Sequence, residues 1–155
     1  MRPLLAALSL PLLLAGTLAA QDSSAAPALK FIAVPPILLP GAQIAIVSGD
    51  PTAAGPCTVE LVMPDGYRMP PHSHPGDEHV EVLEGTLLIG LGDKLDARKT
   101  LAAQAGDTGT APAGARHFTI AKGRTRVRVS FMGPYTITYV NSYEVPRQPS
   151  FPIGY

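Results

Sequence analysis

The chain never keeps one hydrophobic period for long. Seventeen prolines and fifteen glycines punctuate its 155 residues, and proline removes a backbone donor and clashes inside a helix. Between the breaks, apolar and polar residues alternate in the runs "QIAIV", "CTVELVM", "HVEVLEGTLLIGLGD", "RHFTIA", "TRVRVSFM" and "YTITYV". A period of two turns one face of a strand toward a core and the other toward water. Turn residues such as Pro64-Asp65-Gly66, Glu84-Gly85 and Gly133-Pro134 bound these runs. No segment from 30 to 145 holds a helical period over three turns, and "LDARKTLAAQAG" is the one candidate for a helical turn. The pattern predicts an all-β domain built as a sandwich or barrel.

The ends read differently from the middle. "MRPLLAALSLPLLLAGTLAAQDSS" opens with one arginine, continues as a Leu/Ala run and ends in small residues, the layout of a secretory signal peptide. Pro11 and Gly16 break the apolar run, which is short for a membrane span. The expected cut follows Ala20, with Ala19 as the alternative; an uncleaved N-terminal anchor is the competing reading. Residues 1–20 are therefore expected to be a signal peptide, 21–29 a flexible lead-in, 30–145 the barrel domain and 146–155 a Pro-rich tail. A secreted, periplasmic protein with no stable membrane insertion after cleavage follows from that organisation.

Charge argues against some partners. Twelve basic and twelve acidic residues cancel, and loss of residues 1–20 would remove only Arg2, so nothing draws the protein to nucleic acid or anionic lipid. The one basic cluster, "KGRTRVR", alternates Arg124, Arg126 and Arg128 with Thr125 and Val127, which predicts a strand with a solvated face. The single cysteine, Cys57, has no partner for an intramolecular disulfide. It alternates with Val59, Leu61 and Met63 and is expected in the core.

Histidine is concentrated in one place. Three of the four histidines fall in "GYRMPPHSHPGDEHVEVLEG", and the fourth is His117. In a strand, residues two apart share a face, so His72, His74 and Glu78 are expected to form a cup of two imidazoles and a carboxylate suited to a divalent transition metal. By the same parity His79 should face away from it, and Asp77 should serve in the turn or hold a ligating imidazole N–H. Arg116 is expected at an exposed rim. Tyr67, Met69, Phe118, Tyr135 and Tyr139 are pocket-lining candidates without an assigned role in catalysis.

The spacing from Gly66 is G-x5-H-x-H-x3-E-x6-G, ending at Gly85, and the spacing from Gly106 is G-x5-P-x-G-x2-H, through Pro112 and Gly114 to His117. These two blocks, twenty residues apart, resemble the two signature motifs of the cupin family. The resemblance implies a small jelly-roll β-barrel, often dimeric, which leaves room for a homodimer here. It also implies that His72, His74, Glu78 and His117 are the ligands of one metal ion, with Fe, Mn, Ni, Cu and Zn as candidates. The chain departs from the pattern at Ala121, where the family often has asparagine four residues past the histidine.

Three His and one Glu leave positions on a five- or six-coordinate ion for substrate, water or dioxygen. The expected function is a metal-dependent oxidoreductase of dioxygenase type acting on a small, fairly apolar organic molecule, with Glu78 also acting as a base. Isomerase or lyase chemistry, a secreted protein that only binds a metal or small ligand, and a closed structural zinc site are the alternatives.

Overall fold

The computed structural model describes residues 28–141. The signal-like start, nearly all of the lead-in and the Pro-rich tail lie outside those residues. Nine strands, and no helix, occur among the described residues: β1 (Ile32–Ala33), β2 (Gln43–Ser48), β3 (Gly55–Met63), β4 (Arg68–Ser73), β5 (Glu78–Leu91), β6 (Thr100–Gln104), β7 (Thr108–Ala111), β8 (His117–Gly133) and β9 (Thr138–Tyr139).

The two long strands organise everything else. β5 and β8 pair antiparallel from Glu78↔Phe131 to Leu91↔His117. The register shifts on either side of Glu84, and the two halves of each strand take different neighbours within one continuous nine-stranded sheet. The first half of β5 lies between β7 and β8, and β8 continues to β3, β2 and β1. The second half of β5 lies between β6 and the first half of β8, which continues to β4 and β9. Gly85 permits the bend: its φ is +76°, and a Cβ there would lie 2.3 Å from the Arg124 carbonyl oxygen. Side chains such as Val59, Met63, Val82, Leu87, Val127 and Val129 fill the space between the halves. The result is the jelly-roll barrel that alternation and motif resemblance predict. Cys57 is buried in that core, and burial pushes its thiol up.

Several local expectations are corrected. The helical candidate is a turn followed by β6, because Thr100–Gln104 completes the ladder of β5 from Gly90 to Thr86. Ladder bonds outweigh the weak helix preference of Leu and Ala there. Glu84-Gly85 is a bulge within β5 rather than a turn, and "RHFTIA" and "TRVRVSFM" are one strand. The strand expected over His72, His74 and Glu78 is interrupted: β4 ends at Ser73 and β5 opens at Glu78, with His74 between them. The pairing of β4 with β8 slips between Met69 and His72, so Pro70 and Pro71 occupy the irregular stretch where no ladder donor is required.

The arginine row is only partly solvated. Glu60 of β3 is 1% exposed on the outer face. Arg126 donates to its Oε2 at 2.8 and 2.6 Å, and Arg128 to its Oε1 at 3.2 and 2.9 Å. The same two arginines reach Glu84 and Glu81 of β5. The row is therefore an ion-pair ladder across three strands, with Phe31 packed 5.8 Å from the Arg126 guanidinium.

The segment before β2 is tied to the barrel by two phenols. Tyr67 donates to the Leu39 carbonyl at 2.6 Å and Tyr139 to the Ile37 carbonyl at 2.9 Å, so Leu38 between them is held in the core. Burial raises both phenols to about 12. Below pH 10 a tyrosine is neutral whether the chain is folded or not. As pH climbs from 10 toward 12 the unfolded chain ionises and the folded one does not, so stability present below pH 10 is lost across that window. For the buried Tyr67 the loss is about 2–3 kcal/mol. Unfolding free energies from urea melts at the two ends of the window should differ by at least that amount. Tyr67→Phe should start about 1 kcal/mol weaker and show a shallower alkaline decline; an unchanged slope would refute this account.

Candidate metal centre

The cluster forms where the strand ends meet. His72 lies in β4 and sits directly across from His117, the first residue of β8. His74 follows the end of β4, and Glu78 opens β5. All four side chains are buried. The imidazole centroids stand 4.9 Å (His72–His74), 4.3 Å (His72–His117) and 5.5 Å (His74–His117) apart. Each histidine can offer one ring nitrogen such that the three atoms lie within 4.8 Å of one another.

Which nitrogen faces the centre follows from the other one. His72 Nδ1 meets the Pro70 carbonyl at 2.6 Å, His74 Nδ1 the Thr136 carbonyl at 2.9 Å, and His117 Nδ1 the Ala115 carbonyl at 3.1 Å. A carbonyl oxygen only accepts, so each Nδ1 carries a hydrogen and donates. In the neutral rings every Nε2 then holds a lone pair. His74 Nε2 is buried with no hydrogen-bond partner, and an orphaned buried acceptor is costly. Glu78 Oε2 lies 3.5 Å from His74 Nε2 and 3.5 Å from His117 Nε2, beyond normal hydrogen-bond reach and at a spacing that neighbouring ligands of one ion adopt. Three lone pairs and a carboxylate converging in a buried space form a set that a divalent transition metal fits.

The electrostatics agree. Burial lowers His72 to about 4, with the neighbouring His117 charge adding to the effect and the Pro70 carbonyl opposing it. Burial alone would raise Glu78, but the close approach of His117 and the other imidazoles holds its carboxyl below the usual glutamate value. Burial alone would lower His117; its contact with Glu78 outweighs that and leaves it raised. At neutral pH Glu78 is anionic and His72 neutral, the forms in which both bind metal.

The other candidates fall as follows. His79 points outward and contacts Thr110 Oγ1 at 2.8 Å, as parity predicts. Asp77 does not hold an imidazole; its Oδ1 accepts from the Ala113 amide at 2.8 Å and ties the two motif loops together. Arg116 is an exposed rim residue paired with Asp93 at 2.7 Å. At the departure from the motif, Ala121 packs in the core while its backbone exchanges bonds with Gly66 and Tyr67. Sequence reasoning missed Thr136 altogether, because its contribution is a carbonyl that no side-chain pattern reports. Tyr135, named only as a pocket residue, donates to Glu78 Oε1 at 3.3 Å.

Residues 58–133 match the family model described as the cupin domain, a span that contains both motifs and all four clustered residues. The chain belongs to the cupin superfamily. Solved structures of the same fold include a protein of Methylibium petroleiphilum PM1 provisionally assigned as an acetylacetone dioxygenase. It is 21% identical, with 77% of this chain and 81% of that one covered at a TM-score of 0.59. The polyketide cyclase RemF from Streptomyces resistomycificus is 22% identical over 68% of this chain and 75% of its own, at a TM-score of 0.57. An RmlC-like cupin from Shewanella frigidimarina NCIMB 400 is 14% identical over 73% and 91%, at 0.54. No curated protein matches the chain in sequence.

Small cavities adjoin the centre of this cupin. One of about 50 Å³ touches His72, Glu78 and His117. Another, about 80 Å³, lies beside Glu78 and is otherwise walled by apolar side chains and Tyr135. Leu38, Leu61 and Val129 line both. A roomier hollow, about 450 Å³ around His79, Glu81 and Arg128, is an open groove on the outer face and touches none of the four.

Proposed function

We propose that this cupin is an exported, metal-dependent oxidoreductase of dioxygenase type. It would hold one divalent transition metal on His72, His74, Glu78 and His117 and act on a small, fairly apolar organic molecule. The observation that carries the reading is the set of three imidazoles whose Nδ1 atoms are committed to carbonyls, leaving His74 Nε2 orphaned beside the Glu78 carboxylate. An ion bound there would supply positive charge to an oxygen donor of the substrate and, if redox-active, an electron route to dioxygen.

The chain's own residues supply the rest. Four donors would leave one or two positions free on a five- or six-coordinate ion, and His72, Glu78 and His117 line the cavity of about 50 Å³ that an incoming ligand would enter. Glu78, anionic and facing that cavity, can take a proton from a hydroxyl or enol placed there. Leu38, Leu61, Val129 and Phe131 exclude water and leave no charged group except Glu78 on the wall of the adjoining cavity, which favours an apolar body over a sugar. The assigned reaction of the Methylibium protein shows that oxygen chemistry is among the activities ascribed to this fold. At 21% identity that likeness speaks to fold, so the reading rests on the donors and the cavities.

The test is anaerobic reconstitution with Fe(II), Mn(II), Ni(II), Cu(II) and Zn(II) in turn, followed by oxygen uptake against phenols, diols and diketones. Uptake that needs a redox-capable metal and vanishes in Glu78→Gln supports the enzyme. Tight ligand binding without turnover under every metal would replace it with a binding protein. Export rests on the Leu/Ala-rich start, and mass spectrometry of exported protein should find a terminus near Gln21.

A further inference from the structure

We infer that Tyr135 is a positioning residue that presents Glu78 to the metal centre through a single oxygen. The inference rests on the metal-binding reading above and adds to it which carboxylate oxygen faces the ion and what keeps the other away.

The two oxygens of Glu78 have different surroundings. Oε2 faces the imidazoles, 3.5 Å from Nε2 of both His74 and His117. Oε1 is turned aside, where the Tyr135 hydroxyl donates to it at 3.3 Å. A carboxylate with both oxygens free can rotate to grip a cation with two of them. A hydrogen bond on one oxygen occupies a lone pair and opposes that rotation, leaving a further position at the centre for an incoming ligand.

Tyr135 is itself held. Its amide donates to the Pro51 carbonyl at 2.8 Å. Its ring packs on Phe131 at 4.7 Å and on His74 at 5.1 Å. The next residue, Thr136, supplies the carbonyl that sets the His74 tautomer. One short segment after β8 therefore orients two neighbouring donors at once, an outer layer of contacts of the kind that tunes metal sites.

Tyr135→Phe keeps the ring and its packing and removes only the donor. In an anaerobic Co(II) titration the visible absorption, which reports coordination number, should change as Glu78 becomes free to use both oxygens, and the affinity should shift from wild type by about tenfold. Tyr139→Phe, which loses a phenol bonded to the Ile37 carbonyl instead, should keep the wild-type affinity and spectrum. In the Glu78→Gln background the Tyr135→Phe change should add little, because the group it positions is altered. Wild-type affinity and spectrum in Tyr135→Phe would overturn the assignment. Full additivity with Glu78→Gln, or a Tyr135→Phe chain that fails to fold, would make the residue merely structural and overturn it too. If the wild-type protein takes up no Co(II), the metal-binding reading fails first and carries this inference with it.

Discussion

His74→Ala and His117→Ala proteins are expected to fold and to purify with almost none of the metal that the wild type carries. Each substitution removes one of three converging Nε2 atoms from a centre within 4.8 Å, and the remaining donors cannot rearrange to replace it, because each imidazole is fixed through Nδ1 to a backbone carbonyl. A bound ion stabilises the folded state by mass action. A chelator should therefore lower the melting temperature of the wild type and leave that of the variants nearly unchanged. His79→Ala, which alters an outward-facing ring bonded to Thr110, should retain full metal content. The measurement is metal analysis of folded, dialysed protein with thermal melts on the same samples. Full retention in either triad variant would remove that residue from the ligand set.

The largest loss of stability away from the centre is expected when Arg126 and Arg128 are both replaced by Ala. Glu60 is 1% exposed, and the two guanidiniums are the partners of its two oxygens. Their removal strands a buried carboxylate, a change that costs about 3–5 kcal/mol and lowers the melting temperature by roughly 10 °C or more for a domain of this size. Glu60→Leu should be milder. It removes the buried charge together with its desolvation cost, and the arginines keep Glu81 and Glu84 as partners. Metal content should survive in both proteins, since the ladder lies on the outer face. If Glu60→Leu proves the more damaging change, the ladder is a net source of stability and the buried charge is not a cost.

How much of the site was legible varies with the kind of atom involved. His72, His74 and Glu78 share the parity of one short segment, and the motif spacing adds His117, so the four names can be read from a line of text. The outward direction of His79 follows from the same alternation, because period two is imposed by covalent geometry. The supporting atoms are different. The carbonyls of Pro70, Ala115 and Thr136 belong to the backbone, which every residue possesses, and Tyr135 reaches Glu78 from 57 positions away. Asp77 had the right chemistry for an imidazole partner and found an amide instead, because the turn carries it toward Ala113.

By itself the sequence determined that this protein is all-β, with Cys57 buried and His72, His74 and Glu78 on one short segment. Those outcomes depend on local alternation, on breakers and on short spacings, all of which act within a few residues, whereas His117 meets His72 only because β8 pairs with β4. Only the tertiary structure decided that the arginine row guards Glu60, that "TLAAQ" is a strand, and that Tyr135 and Thr136 stand behind the donors. Each of these depends on which strands become neighbours. Glu60 meets Arg126 and Arg128 because β3 pairs with β8 in one register, and Thr100–Gln104 extends because β5 offers it a free ladder. Pairing between distant segments is chosen by the closure of the whole barrel, and no window of sequence contains it.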